Sequence, residues 1–308
     1  MNKFKLTCLA AALTVGMSSN ALALTSINDS LVNGSNQWSD DFGELWLDVD
    51  ADNLVSVGDK FVAVMGFTSF PDAPNAFGTY NELTAILAIE VASVNVSNPN
   101  PDPACANLVC ASMTFGVVGD FNATMLEAAA LISAMDGAPY TLGPFTNLDG
   151  SLPIDPRAGI VFFEDETPDF IRNGATSLSQ SFDSAIDGTA IMIAGMDPVT
   201  AATLAGFLPL DPLGIVSVSG GLGIGNITGS FQIIEENIVG YDFEPTVTVS
   251  GNLSGTNPIG ATAVSTPFPI IGDLTLTLTA NAIPEPSMLA LLGIGLLGVA
   301  GNARKKKA

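Results

Sequence analysis

Residues 273–280 read DLTLTLTA, and this stretch decides the fold class. Leucine and threonine alternate through it, so that one side of the segment is apolar and the other is polar. Because successive side chains of a strand point to opposite faces, the period of two predicts a half-buried antiparallel strand. Residues 245–253 repeat the pattern, with Val247 and Val249 alternating with Thr246 and Thr248.

Working outward from these two segments, apolar runs bounded by Gly, Asn, Asp and Pro predict eight further strands. They are residues 44–49, 60–68, 82–96, 111–118, 159–163, 189–194, 215–219 and 229–235. Two helices are predicted between them. One covers residues 123–135, with Asn122 as N-cap and Gly137 after its end, and the other covers residues 198–207, with Asp197 as N-cap. We therefore expect a mainly β body, an antiparallel β-sandwich or jelly-roll-like fold with two short helical insertions.

The first 23 residues have the organisation of a secretory signal peptide with a signal helix. Lys3 and Lys5 precede an apolar core at residues 6–15, and Ala21 and Ala23 form a small-x-small cleavage pattern. We expect cleavage after Ala23. Residues 24–281 would then form the exported, acidic, β-rich domain.

The chain ends in a short apolar run followed by basic residues. Residues 288–301 carry no charge but are fewer than the about 20 needed to span a bilayer, and four glycines weaken the run as a helix. We predict a marginal transmembrane helix. The basic cluster after it consists of Arg304, Lys305, Lys306 and Lys307. This cluster would stay in the cytoplasm, which places the body on the opposite side of the membrane.

Just before this run, Pro284 and Pro286 flank Glu285 and keep the junction extended, as a protease substrate must be. The tripeptide, the Gly/Leu-rich span and the basic cluster, in this order, resemble a PEP-CTERM sorting signal over residues 282–308. The resemblance implies recognition by an exosortase-type enzyme, a transient inner-membrane intermediate, removal of the tail, and delivery to the cell surface or an exopolysaccharide matrix. Through residues 54–59 (LVSVGD) and 163–170 (FEDETPDF), the body resembles other exported PEP-CTERM proteins of unassigned function. A plain C-terminal tail anchor is the alternative.

Charge separates the two ends from the body. Without the ends, three basic residues stand against 30 acidic residues, a net charge of −27. Such a surface repels nucleic acid and anionic lipid and attracts cations, although solubility outside the cell is reason enough for it. The chain contains no histidine, which excludes Ser-His-Asp and Cys-His catalysis and the usual zinc sites.

Two cysteines, Cys105 and Cys110, remain in the body within a region rich in Pro and Asn. In an oxidising compartment two such cysteines usually pair, so we predict a disulfide that closes a short loop. A redox or metal role is the alternative, although the spacing is not that of a C-x-x-C motif.

Residues 48–59 have the spacing of an EF-hand or dockerin type calcium loop. Asn53 stands at position six, where Gly is usual, and the flanking segments read as strands. An acidic hairpin that turns at Asp52 and Asn53 is therefore the alternative, and such a hairpin can still bind calcium. The expected ligands occupy positions one, three, five, seven, nine and twelve, which are Asp48, Asp50, Asp52, Leu54, Ser56 and Asp59.

Two further segments have patterns that only weakly indicate a catalytic or binding site. The acids at residues 164–169, with Glu235 and Glu236, provide the carboxylates that glycoside hydrolysis needs, but the chain has few aromatic residues for a sugar platform. The glycine-rich residues 220–225 lack the lysine and helix start of a phosphate loop. We therefore expect a non-enzymatic surface or matrix protein with a structural or adhesive role in biofilm or floc, with calcium bridging to anionic polysaccharide as its mechanism. A secreted polysaccharide hydrolase and a periplasmic or surface binding module are the alternatives.

Overall fold

The structure is a computed structural model, and it describes residues 31, 33–51, 56–69, 81–97, 109–166, 169–170, 177–195, 204–210, 223–255, 268 and 270–283. It contains β1 (Gly34–Leu47), β2 (Lys60–Ser69), β3 (Glu82–Ser97), β4 (Val109–Gly116), α1 (Phe121–Asp136), β5 (Ala158–Asp165), α2 (Leu178–Ile186), β6 (Thr189–Gly195), β7 (Leu204–Leu210), β8 (Gly223–Glu236), β9 (Tyr241–Phe243), β10 (Thr246–Gly255) and β11 (Ile270–Ala282).

The strands form one antiparallel sheet that closes on itself. Strands β10, β11, β1, β2 and β3 are hydrogen-bonded in that order. The first half of β3 pairs with β5, which continues through β6 to β8, and β8 pairs with β10 to complete an eight-stranded barrel. The second half of β3 pairs with β4, which continues through β7 to the other half of β8. The wall between β3 and β8 therefore consists of β5 and β6 at one end and of β4 and β7 at the other.

Side chains of alternate positions fill two separate cores. The barrel interior contains Trp38, Phe67 and Phe162, whose ring centroids lie 5.9 to 6.0 Å apart. The opposite side chains of β2 and β3, such as Val62 and Ile86, pack outside the barrel against α1, α2 and the chain that joins α1 to β5. This part of the wall is thus buried on both faces, which explains the long apolar runs of β2 and β3.

The prediction of a mainly β, antiparallel body with two helices is confirmed, but the sheet is a closed barrel where a sandwich or jelly roll was expected. Alternation along a strand is the same in both architectures, and the pairings β8–β10 and β3–β5 that close the barrel join distant segments. Every predicted strand within the described residues coincides with an observed strand. Residues 215–219 lie outside the described residues.

The first helix is confirmed at α1, but its predicted N-cap is wrong. The Asp120 carboxylate accepts the Ala123 N–H at 2.9 Å and caps the helix, and Gly137 ends it in a left-handed conformation. Asn122 instead binds the backbone of Phe145 through both its amide oxygen and its amide nitrogen. Asn122 thereby fixes the segment that covers the outer core.

The second predicted helix is wrong where the structure describes it, because residues 204–207 belong to β7. Pairing with β4 over seven residues outweighs the local cap signal of Asp197 and Pro198, which lie outside the described residues together with the rest of 198–203. The second helix of the described chain is α2, where none was predicted. Ser177 caps it, and the Asp136 carboxylate at the end of α1 accepts the N–H groups of Leu178 and Ser179 at 3.0 and 2.8 Å.

Several predictions concern residues that the structure does not describe. The signal peptide with Ala21 and Ala23, the sorting tripeptide and the C-terminal apolar run lie outside the described residues. Cys105 also lies outside them, so its disulfide with Cys110 of β4 stays a prediction. Within the described ranges, no helix has the length and apolar character needed to cross a membrane.

Candidate functional site

The acidic loop of residues 48–59 joins β1 to β2. The last pair of these strands, Leu47 and Lys60, brings both ends of the loop together. As a result, carboxylate oxygens of Asp48, Asp50 and Asp59 lie within 4.8 Å of one another. The loop thus connects two antiparallel strands on which these three acids converge, whereas the predicted turn at Asp52 and Asn53 lies outside the described residues.

Asp59 organises this loop. Its side chain is only 1% exposed, and its Oδ2 accepts hydrogen bonds from the Ser56 N–H at 2.8 Å and the Trp46 indole N–H at 3.2 Å. Its Oδ1 accepts the Val49 N–H at 3.0 Å. Three protein donors thus compensate the burial of this carboxylate without a metal ion.

The other described ligands of the predicted calcium site, Asp48, Asp50 and Ser56, are more accessible than Asp59. Asp48 is half-buried and Asp50 is exposed, and the Ser56 hydroxyl donates to Asp50 Oδ2 at 3.3 Å. Together with Oδ1 of Asp59 these groups form a set of hard oxygen donors, which is the set that calcium prefers. Asp52 and Leu54 lie outside the described residues, so four of the six predicted ligand positions are brought together.

A groove of about 430 Å³ lies beside this loop, between the end of β1 and α1. Trp46, Asp48 and Val49 line one side, and Glu127 and Leu131 of α1 line the other. Lys60 forms an ion pair with Glu127 at 2.7 Å. The hydrogen bond from Trp46 to Asp59 couples the indole ring in the groove to the acidic loop.

A second acidic cluster lies where β5 ends. Carboxylate oxygens of Asp165, Asp169 and Asp187 lie within 4.8 Å of one another, and Glu82 of β3 is the register partner of Asp165. Burial raises the pKa of Glu82 to about 7, and the three aspartates add to this effect, although the Phe170 N–H that it accepts acts in the opposite direction. The Glu82 Oε1 is buried and accepts no hydrogen bond within the described residues. Burial and the charges of Asp169 and Asp165 likewise raise the pKa of Asp187.

Sequence reasoning found Asp165 and Asp169 but missed Glu82 and Asp187. Glu82 begins β3 and Asp187 follows α2, so only the fold brings them to the acidic segment. Asp187 is the C-cap residue of α2. Because α2 itself was not predicted from the sequence, this position could not be recognised in advance.

The two groups of carboxylates considered for glycoside hydrolysis, the acids that end β5 and the Glu235–Glu236 pair, are not brought together. Glu164 is opposite Thr189 on β6, whereas Glu235 is opposite Ile193. Four residues along a strand span about 13 Å, before the distance across the strands is added, which exceeds the separation in glycosidases of roughly 5 to 10 Å. Glu235 also accepts the Leu148 N–H at 2.7 Å, and Glu236 accepts the Ile238 N–H. Of the glycine-rich segment, residues 223–225 belong to β8 and pair with β10.

Hydrogen bonds fix the chain to the barrel up to Ile283, the residue before the sorting tripeptide. The N–H of Ala282 donates to Asn33 Oδ1 at 3.0 Å, and the N–H of Ile283 donates to the Gly240 carbonyl at 2.7 Å. Pro284 therefore follows directly on a hydrogen-bonded position.

Comparison with known proteins identifies this C-terminal segment. Residues 282–305 match the PEP-CTERM protein-sorting motif, and such segments are substrates of exosortases. The chain thus carries the sorting signal of an exported surface protein, and the match assigns no function to the body. No curated protein matches the chain.

A solved structure of an acetoacetate decarboxylase-like enzyme from Sphingomonas wittichii RW1 aligns with 8% identity and a TM-score of 0.19, over 86% of this chain and 99% of that chain. A likeness of this degree supports no conclusion about fold or activity.

Proposed function

We propose that the acidic barrel is a cell-surface or extracellular-matrix protein that is anchored in the inner membrane, released by an exosortase-type enzyme, and retained by exopolysaccharide with the help of calcium. The observation that carries the proposal is the sorting motif at residues 282–305, which begins at the last residue of β11. Its role is structural or adhesive.

Hydrogen bonding at Ile283 sets the distance between the barrel and the membrane in the anchored intermediate. Four residues separate Ile283 from Met288, where the apolar run begins. An extended chain spans at most about 3.6 Å per residue, so Ile283 and Met288, five residue steps apart, can be at most about 18 Å apart. The enzyme that releases the body must act within this short linker.

Mass spectrometry of the protein from membrane and extracellular fractions tests the delivery step. We expect the extracellular form to end near Pro284 and to lack the signal peptide. A variant with alanine at positions 284, 285 and 286 should stay in the membrane fraction with its tail intact. A wild-type chain that keeps its full tail in the membrane would replace the proposal with plain anchoring.

Retention by polysaccharide is supported by charge. A body of net charge −27 repels anionic polysaccharide unless cations bridge the two. Asp48 and Asp50 present accessible carboxylates next to the groove at Trp46, where a bound calcium ion would keep coordination positions for an outside ligand.

Sedimentation of the full chain with an acidic polysaccharide, with calcium or with chelator, tests this step. We expect binding at millimolar calcium, the order of affinity of extracellular calcium modules, together with a change in tryptophan fluorescence. The double variant Asp48→Asn/Asp50→Asn should lose both responses.

A matched control, Glu166→Gln/Asp242→Asn, removes the same charge from exposed positions outside the loop and should behave as wild type. If both double variants bind alike, the loop has no part in retention. The sorting proposal is judged separately by the position of the C-terminus.

A further inference from the structure

The interior of the barrel contains a small cavity of about 20 Å³. Seven of the eight barrel strands contribute side chains to its wall, among them Phe42, Met65, Leu87 and Leu276. All of these lining side chains are apolar except that of Glu44 on β1. The cavity therefore has one strongly polar group.

Glu44 is almost completely buried, with 4% of its surface exposed. Its Oε2 is inaccessible, and no protein group within the described residues forms a hydrogen bond with it. A buried polar atom in this state costs free energy, so native proteins nearly always give it a partner. Burial also raises the pKa of Glu44 to about 8, so the carboxyl group is largely protonated at neutral pH.

The size and chemistry of the cavity define the partner. A volume of about 20 Å³ is enough for one water molecule and too small for an organic ligand. A protonated carboxyl group offers one donor and one acceptor, and the thioether of Met65 adds a weak acceptor. A cation does not fit, because no other carboxylate lines the cavity. Asp40, the next inward acid of β1, instead accepts the Leu274 N–H at 2.7 Å.

We propose that the barrel interior is a binding site for a single water molecule, held by the carboxyl group of Glu44. The water completes the hydrogen bonds of the buried acid and occupies the space that the apolar side chains leave. Glu44 thus provides the hydrogen-bonding group that holds the water inside the apolar core.

Three forms of the full chain test the proposal: wild type, Glu44→Gln and Glu44→Met. The glutamine amide keeps a donor and an acceptor, whereas methionine fills the same space without a hydrogen-bonding group. Oxygen-17 relaxation dispersion of water counts long-lived internal waters. We expect equal counts in wild type and Glu44→Gln, and one fewer in Glu44→Met. Equal counts in wild type and Glu44→Met would overturn the proposal.

Infrared spectroscopy gives a second readout that does not depend on the folding of Glu44→Met. The carboxyl C=O band of wild type that disappears in Glu44→Gln belongs to Glu44, and hydrogen bonding lowers its frequency. A band at the lowered frequency supports the bound water. A band at the frequency of a carboxyl group without hydrogen bonds refutes it.

Discussion

Replacing Glu44 by Gln should remove most of the loss of stability that the barrel suffers between mildly acidic and alkaline pH. In the unfolded chain Glu44 ionises at its ordinary pKa of 4.5, whereas burial in the folded protein raises that pKa to about 8. Between these values the folded state binds one more proton than the unfolded state, so the free energy of unfolding falls as pH rises. The contribution is fully present below pH 4.5 and fully lost above pH 8.

The two pKa values of Glu44 fix the size of the effect. Each pH unit between them changes the free energy of unfolding by about 1.36 kcal/mol, which amounts to about 5 kcal/mol over the whole interval. From about pH 5.5 to pH 8 the expected loss is about 3 kcal/mol. Such a loss is a large fraction of the stability of an ordinary domain.

Urea unfolding of the full chain at several pH values measures this effect. With a denaturant slope of about 3 kcal/mol/M, the wild-type midpoint should fall by about 1 M more than that of Glu44→Gln between pH 5.5 and pH 8. Glu82, whose pKa is also raised, contributes equally to both proteins and cancels in the comparison. Glu166→Gln, which removes an exposed carboxylate, should follow wild type. Parallel pH profiles of wild type and Glu44→Gln would refute the reasoning.

Three further contacts can be tested by urea or thermal unfolding of substituted chains. Gly43→Ala places a Cβ against the ring of Phe268 and should lower the free energy of unfolding by about 1 to 3 kcal/mol. The control Gly159→Ala, whose Cβ would come no closer than 3.4 Å to its neighbours, should lower it by less than about 1 kcal/mol. Equal losses of stability in the two variants would contradict the crowding at Gly43. Asp59→Asn leaves a buried N–H of the acidic loop without an acceptor and should lower the free energy of unfolding by about 1 to 3 kcal/mol, both in chelator and in calcium. A loss of stability seen only with calcium would show that Asp59 acts as a calcium ligand and does not stabilise the loop by itself. Asp136→Asn weakens the cap that α1 provides to α2 and should cost about 1 to 2 kcal/mol, and an unchanged midpoint would show that α2 does not depend on this cap.

The sequence was sufficient to predict strands wherever apolar and polar side chains alternate without exception. β10 and β11 follow this rule, and β2 and β3 are long apolar runs because their outer faces are covered as well. The start of β1 was missed for the opposite reason. The inward positions of this missed part include Asn36 and Asp40, both almost fully buried, so its alternation looks polar until the barrel that encloses it is known.

The candidate sites divide in the same way. Asp48, Asp50 and Asp59 lie in one short loop, so their spacing alone predicted that they would converge. Glu82, Asp165 and Asp187 come from three separate elements and meet only through the pairing of β3 with β5 and the position of α2. No local pattern encodes these contacts, because they depend on the closure of the whole sheet.

Closure of the sheet depends on β11, which ends at the residue where the sorting motif begins. β1 and β11 pair along eleven positions, and the contact between Ser39 and Thr275 joins residues 236 positions apart, so the barrel cannot close before its last strand is available. The hydrogen bonds from Ala282 to the Asn33 side chain and from Ile283 to the Gly240 carbonyl extend the contacts of β11 to residue 283. A cut before Ala282 would remove these bonds and shorten a strand that β1, β9 and β10 all contact. A cut at or after Pro284 would break none of them, so a body released by such a cut would keep every strand of its barrel.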